Sequence, residues 1–231
     1  MLTIANRLKS ALDSISTFAQ DAKRDPHTIR LLAVSKTKPN EAIKEAYNAG
    51  QRMFGENYVQ EGIQKVQELK DLTGIEWHFI GPLQSNKTRV VAEHFDWVQS
   101  IERTKIADRL NEQRPSEKGS LQVCIQVNIS EEENKSGASP NDVLALAAHI
   151  DTLPNLTLRG IMAIPANTDS EAQQKQAFNA MQSLYHALQN QYANIDTLSI
   201  GMSGDMKAAI ECGSSMVRIG TAIFGAREKK Q

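Results

Sequence analysis

Short apolar runs alternate along the chain with longer stretches in which apolar positions recur every three or four residues. Near the start, Leu8, Leu12, Ile15 and Phe18 step by four, three and three, which predicts an amphipathic helix. Leu31-Leu32-Ala33-Val34 is too brief for a helix and reads as a buried strand that stops at Ser35-Lys36-Thr37-Lys38-Pro39. Asn40 stands where a cap would open the next helix, which runs to Ala49 and stops at Gly50. The cycle then repeats. Strands are expected at 52–55, 76–80, 97–101, 121–129, 156–164, 197–200 and 216–219. One intervening helix carries Val59, Ile63 and Val66 on a face, and another carries Phe178, Met181, Tyr185 and Leu188.

Eight strand candidates separated by helical stretches, with one leading helix, are the βα alternation of a parallel sheet, an α/β fold. Eight such units in 231 residues fit a closed (β/α)8 barrel better than an open doubly wound sheet. No linker rich in Pro, Gly and Ser divides the chain, so residues 1–231 are expected to form a single domain. The stretch Arg114-Pro115-Ser116-Glu117-Lys118-Gly119 reads as a solvated loop.

Composition narrows the function. With 40% hydrophobic and 23% charged residues, the balance is that of a folded soluble protein rather than a disordered chain. Lys and Arg number 26 against 27 Asp and Glu, so net charge argues for neither nucleic acid nor an anionic membrane as partner. No apolar run reaches the roughly 18 residues of a membrane span, and MLTIANRLKSALDSISTFAQ lacks the apolar centre of a signal peptide. Cys124 and Cys212 lie far apart, form no CxxC, and are expected to be buried thiols of a reducing cytoplasm.

In a parallel barrel, function sits at the C-terminal ends of the strands. The residues just beyond the predicted strands include Lys36, Glu56-Asn57, Ser100, Asn128, Met162, Ser203 and Arg218-Ile219-Gly220-Thr221, with His78 ending the third. Lys36 closes an apolar run, so its stem should lie in the barrel mouth. A lysine there loses ammonium solvation, its pKa falls, and its amine can condense with an aldehyde; a strand-end lysine that snorkels to water is the alternative. Gly201-Met202-Ser203-Gly204-Asp205-Met206 and Arg218-Ile219-Gly220-Thr221 follow strands 7 and 8, the usual phosphate site of this fold. Glycines there let amides approach an anion, Ser203 and Thr221 add hydroxyls, and a helix opening at Thr221 would present its positive end. Ordinary turn chemistry would also place Gly and Ser there. Neither a Walker A nor a GxGxxG motif is present, and the five histidines have no metal-ligand spacing.

These stretches match a known family. LLAVSKTKP (31–39), FGENYVQE (54–61), WHFIGPLQSNK (77–87), VNIS (127–130), NKSG (134–137), RGIMAIP (159–165), LSIGMSGDM (198–206) and VRIGTAIFGAR (217–227) run across nearly the whole chain. By them the chain closely resembles the pyridoxal phosphate homeostasis proteins, whose barrel is related to the N-terminal domain of alanine racemase. The resemblance implies a fold-type III pyridoxal 5′-phosphate (PLP) protein. Lys36 matches the lysine that holds PLP as a Schiff base. Ser203, with the backbone of Gly220 and Thr221, matches the phosphate site, and Arg218 matches the arginine that faces the pyridine nitrogen. Asn57 and His78 match rim positions near the cofactor, and Lys135 matches a second lysine with a role in cofactor transfer or allosteric binding. Gly204 stands where relatives often carry a larger polar residue.

Alanine racemase adds a C-terminal domain that supplies a catalytic tyrosine, and here the chain ends directly after the last barrel unit. The reading favoured by the resemblance is therefore a PLP carrier and regulator of vitamin B6 pools without robust catalysis, monomeric, with PLP-dependent apoenzymes as candidate recipients. A minimal amino-acid racemase is the alternative, but two-base racemisation needs acid–base groups on both faces of the substrate, and only Lys36 can be nominated. A cofactor-free Schiff-base aldolase is a third.

Overall fold

The computed structural model describes residues 3–132 and 135–226. Eight parallel strands close on themselves in sequence order. They are β1 (Arg30–Val34), β2 (Met53–Glu56), β3 (Glu76–Phe79), β4 (Trp97–Ile101), β5 (Leu121–Gln126), β6 (Leu156–Met162), β7 (Thr197–Ser199) and β8 (Met216–Ile219). Helix α1 (Ile4–Asp21) precedes the barrel; α2 (Asn40–Asn48), α3 (Val59–Glu68), α4 (Thr88–His94), α5 (Thr104–Gln113), α6 (Val143–Asp151), α7 (Glu171–Gln189) and α8 (Met206–Glu211) link the strands, and α9 (Thr221–Phe224) follows β8. The (β/α)8 barrel expected from the alternation is thus the observed fold.

Both sides of the sheet are packed. Phe54, Phe79, Val91, Phe95 and Ile106 fill the layer between strands and helices, while Leu32, Ile80 and Met216 cluster separately, as do Trp97, Cys124 and Met162. Two barrier layers of apolar surface explain why the strands read as nearly continuous hydrophobic runs rather than as alternating ones. Phe178, Met181, Tyr185 and Leu188 are the buried face of α7, as their spacing predicts. Cys124 and Cys212 are buried and unbridged.

Three local readings need correction. On α1 the buried stripe is Leu8, Ala11, Ile15 and Ala19, and Leu12 is exposed, because two alanines allow closer approach to the barrel than the larger side chains do. Asn40 is the first residue of α2 rather than its cap; its amide donates to the Glu68 carboxylate while Pro39 precedes the helix. Arg114 is not solvated. Its guanidinium is buried and donates to the carbonyls of Ala92 and Phe95 at 2.7 Å each and of Gly119 at 2.9 Å, closing the end of α4 and the loop before β5.

Candidate functional site

Barrel closure decides which strand ends share the mouth. β7, β8, β1 and β2 are consecutive neighbours, so the residues that follow them form one arc. Leu32 pairs with Arg218 and Ala33 with Ile219. Continuing that register brings the turn after β8 against the end of β1. A Cβ on Gly220 would stand 3.2 Å from the Val34 carbonyl oxygen, so glycine permits the approach. Lys36 follows two residues later and is half-buried. Thr221 is exposed where α9 opens; the Ile223 and Phe224 amides donate to the Gly220 carbonyl at 3.0 and 2.9 Å, so only the Thr221 and Ala222 amides precede the first helical bond.

The loop after β7 is pinned by Asp205, whose carboxylate accepts from the Met202 amide at 2.5 Å, and by the Asp205 amide, which donates to the Met202 carbonyl at 3.2 Å. Ser203 and Gly204 form its exposed tip. A Cβ on Gly204 would meet nothing within 4 Å, so a larger residue there would fit. Because Asp205 adds a negative charge to this loop, anion binding here would depend on hydroxyls and oriented amides rather than on net charge.

Arg218 does not point outward into a surface ion pair. It is buried, and its guanidinium donates to the Ser199 carbonyl at 2.6 Å, the Ser199 hydroxyl at 2.9 Å and the Ala163 carbonyl at 2.8 Å. Burial lowers its pKa to about 10, below the ordinary range for arginine but far enough above neutrality to keep the charge. The Ser199 hydroxyl in turn donates to Gln99 Oε1 at 2.7 Å, and Gln99 Nε2 donates to His78 Nδ1 at 3.0 Å. A single hydrogen-bond chain therefore crosses the barrel interior from Arg218 to His78.

That chain places His78 differently from the rim position that the motif match implied. The ring is fully enclosed and stacks on Trp97, with centroids 4.9 Å apart and planes within 15°. With Nδ1 accepting, the neutral ring carries its proton on Nε2, which has no hydrogen-bond partner. Desolvation, reinforced by the Arg30 charge, holds the His78 pKa well below 6.5. The unfolded chain therefore binds the extra proton first as pH falls. The stability from a neutral buried His78 is complete above pH 6.5 and is lost below it, at most about 1.4 kcal/mol per pH unit. Denaturant titrations from pH 6.5 to 5 should show a shallower decline for His78→Gln than for the unmutated protein; equal slopes would show that another group sets the acid response.

Asn57, just beyond β2, has its side-chain oxygen buried without a donor. Beside the arc a cleft of about 820 Å3 opens between the loops after β5, β6 and β7 and helix α7. Lys135, Gly204 and Asp205 line it, whereas Lys36, Asn57 and Arg218 do not. Lys135 pairs with Glu132 at 2.8 Å; its predicted neighbour Asn134 lies outside the described residues, as does Arg227. Sequence reading missed Ser199 and Gln99, which look like ordinary strand residues; the closed barrel brings Ser199 onto Arg218, and Gln99, from β4, onto Ser199. Among the described residues no cluster of His, Cys, Asp or Glu could hold a metal, and no helix is long and apolar enough to cross a membrane.

A strand-end lysine, glycine-lined turns after the last two strands and a buried arginine in a closed parallel barrel define a protein of the alanine racemase N-terminal type, and the model of that domain matches residues 11–228. The chain belongs, within that class, to the pyridoxal phosphate homeostasis proteins. It is 58% identical to the pyridoxal phosphate homeostasis protein of Haemophilus influenzae over 229 residues, covering 98% of this chain and 97% of the relative. Among solved structures, PipY of Synechococcus elongatus with PLP bound is 37% identical, has a TM-score of 0.81, and is matched over 96% of this chain and 100% of its own. Alanine racemase from Corynebacterium glutamicum shares the fold at a TM-score of 0.72 and 16% identity, over 95% of this chain and 62% of its own.

Proposed function

We propose that this protein binds PLP covalently through Lys36 and holds it without robust turnover, as a carrier that keeps vitamin B6 aldehyde out of free solution in the cytoplasm. The observation that carries the reading is the β7–β8–β1–β2 arc, in which the turn at Gly220 packs on Val34 beside Lys36. The PLP-bound state of PipY supports it. The donor set also fits the group: hydroxyls at Ser203 and Thr221, the Thr221 and Ala222 amides at the start of α9, an amine at Lys36, and a buried acceptor without a donor at Asn57.

Bound PLP supplies an aldehyde carbonyl, which condenses with a primary amine as one water leaves, and a conjugated ring that can take up electrons. The remaining work belongs to the chain. Lys36 provides the amine. Ser203, Thr221 and the amides around Gly220 would receive the phosphate. Arg218, anchored on Ser199 and Ala163, would face the ring nitrogen with an N–H that it does not surrender at neutral pH. His78 is enclosed and its Nδ1 already engaged, so it offers no exchangeable base to the open mouth. Monomeric carriage with release to PLP-dependent apoenzymes is the role this arrangement suits.

The test is covalent trapping. Borohydride reduction of the PLP-loaded protein, followed by peptide mapping, should recover the pyridoxyl group on Lys36. Recovery on another lysine alone would overturn the assignment. Alanine incubated in deuterium oxide should show no inversion at enzyme-like rates; steady exchange with inversion would replace the carrier by a racemase.

A further inference from the structure

Lys36 lies between two residues that are tied to one buried ionic cluster. Lys65, on α3, is only 5% exposed and, with Gly62, is one of the two buried residues of that helix. Its ammonium donates to the Ser35 carbonyl at 2.7 Å, Glu56 Oε1 at 2.9 Å and Glu61 Oε1 at 2.6 Å, which uses all three of its donors. Glu56, the last residue of β2, is fully buried, and the same Oε1 accepts from the Ser35 hydroxyl at 2.6 Å. Glu61 Oε1 also accepts from the Thr37 amide at 2.5 Å. Thr37 has φ +62°, a conformation that a β-branched residue adopts only when its surroundings impose it.

The cluster therefore grips the backbone immediately before and immediately after Lys36. We propose that Lys65, Glu56 and Glu61 are positioning residues for Lys36, fixing where its Cα stands and so where its amine meets a carbonyl in the barrel mouth. The proposal rests on the reading of Lys36 as the PLP anchor.

Stability alone does not account for the arrangement. Burying the Lys65 ammonium and the Glu56 carboxylate costs several kcal/mol per ion before their mutual attraction repays it, and well-packed apolar residues commonly do as well or better. Val59, Ile63 and Val66 already supply α3 with an apolar stripe against the core. What apolar side chains could not supply is a hydrogen bond to the Ser35 carbonyl together with a held acceptor for the Thr37 amide. Capture itself is a condensation: the Lys36 nitrogen bonds to the aldehyde carbon, the carbonyl oxygen departs as water with two protons from the amine, and no oxidant or reductant takes part. Its rate depends on attack geometry, to which displacements of about 1 Å matter strongly.

Covalent capture and non-covalent binding separate this role from a merely structural one. Glu61→Ala removes the Thr37 clamp at a side chain that is 29% exposed, and Lys65→Met removes the Ser35 clamp. Capture of PLP at Lys36, followed by borohydride quenching, should slow about tenfold in either variant. Pyridoxine 5′-phosphate, which has no aldehyde, should bind both variants within about twofold of the unmutated protein by calorimetry. Glu61→Gln, which keeps an acceptor for the Thr37 amide, should restore capture. Should Lys65→Met not fold, Glu61→Ala and its glutamine counterpart decide the matter. Unchanged capture in Glu61→Ala, or a parallel loss of pyridoxine 5′-phosphate affinity, would overturn the positioning role. Capture by the unmutated protein at a different lysine would instead overturn the anchor, and this proposal with it.

Discussion

Gly160→Ala should destabilise the barrel by roughly 3–5 kcal/mol, the sum of overpacking and backbone strain. Gly160 lies on β6 at the point where the register with β5 slips: Val123 pairs with Leu158, but Cys124 pairs with Gly160. The extra residue makes a bulge, and Gly160 meets it with φ +152°. A Cβ there would stand 1.8 Å from the carbonyl oxygen of Thr197 on β7, a backbone atom that cannot swing aside. Relief would require β6 and β7 to separate. Since β7 is paired with β8 through the single register Ser199–Met216, the displacement would reach the strand that carries Arg218. Urea denaturation followed by circular dichroism should show the lost stability as a lower midpoint. A midpoint equal to that of the unmutated protein would show that the strands can part without penalty.

The barrel was legible because both sides of its sheet are covered. Helix periodicity and short apolar runs then alternate cleanly, and even the three-residue β7 stands out between a helix and a glycine. The mouth was legible for the same reason, since strand ends follow directly from strand positions. Side-chain direction at those ends was not. His78 and Arg218 both sit near strand ends in sequence, yet both are enclosed, because the barrel interior accepts polar residues when a partner stands on the neighbouring strand. The partners, Gln99 and Ser199, come from β4 and β7, and no local pattern announces a pairing across that distance. Lys65 was hidden differently. A lysine at helical spacing among Val59, Ile63 and Val66 reads as a solvated position, and only the carboxylates of Glu56 and Glu61 make its burial tenable.

Arg218→Met should cost about 1–3 kcal/mol, because the variant leaves the Ala163 carbonyl a buried acceptor without a donor, while the Ser199 carbonyl keeps only the Ala163 amide at 3.2 Å. Part of the penalty is offset. Burial lowers the Arg218 pKa to about 10, which shows that the protein already disfavours the charge, and methionine removes it at similar length. Ser199 would still donate to Gln99, so the far half of the chain to His78 should survive. Arg218→Glu is a harsher change. Its carboxylate would face the same two carbonyl oxygens and would fit only when protonated, so it tests packing and charge together. Arg218→Met removes the charge and its donors without introducing a carboxylate. Denaturation midpoints measure the stability, and nitrogen NMR of ring-labelled PLP bound to the unmutated protein measures the electronic consequence. Where Arg218 faces the ring nitrogen as proposed, it offers an N–H but no proton, and the ring nitrogen should remain unprotonated at neutral pH, which leaves the ring a poor acceptor of electrons and the bound cofactor slow to react. A protonated ring nitrogen in the unmutated protein would overturn this account of restrained chemistry, and an unchanged midpoint in Arg218→Met would show that the guanidinium is not what holds β6 and β7 at the mouth.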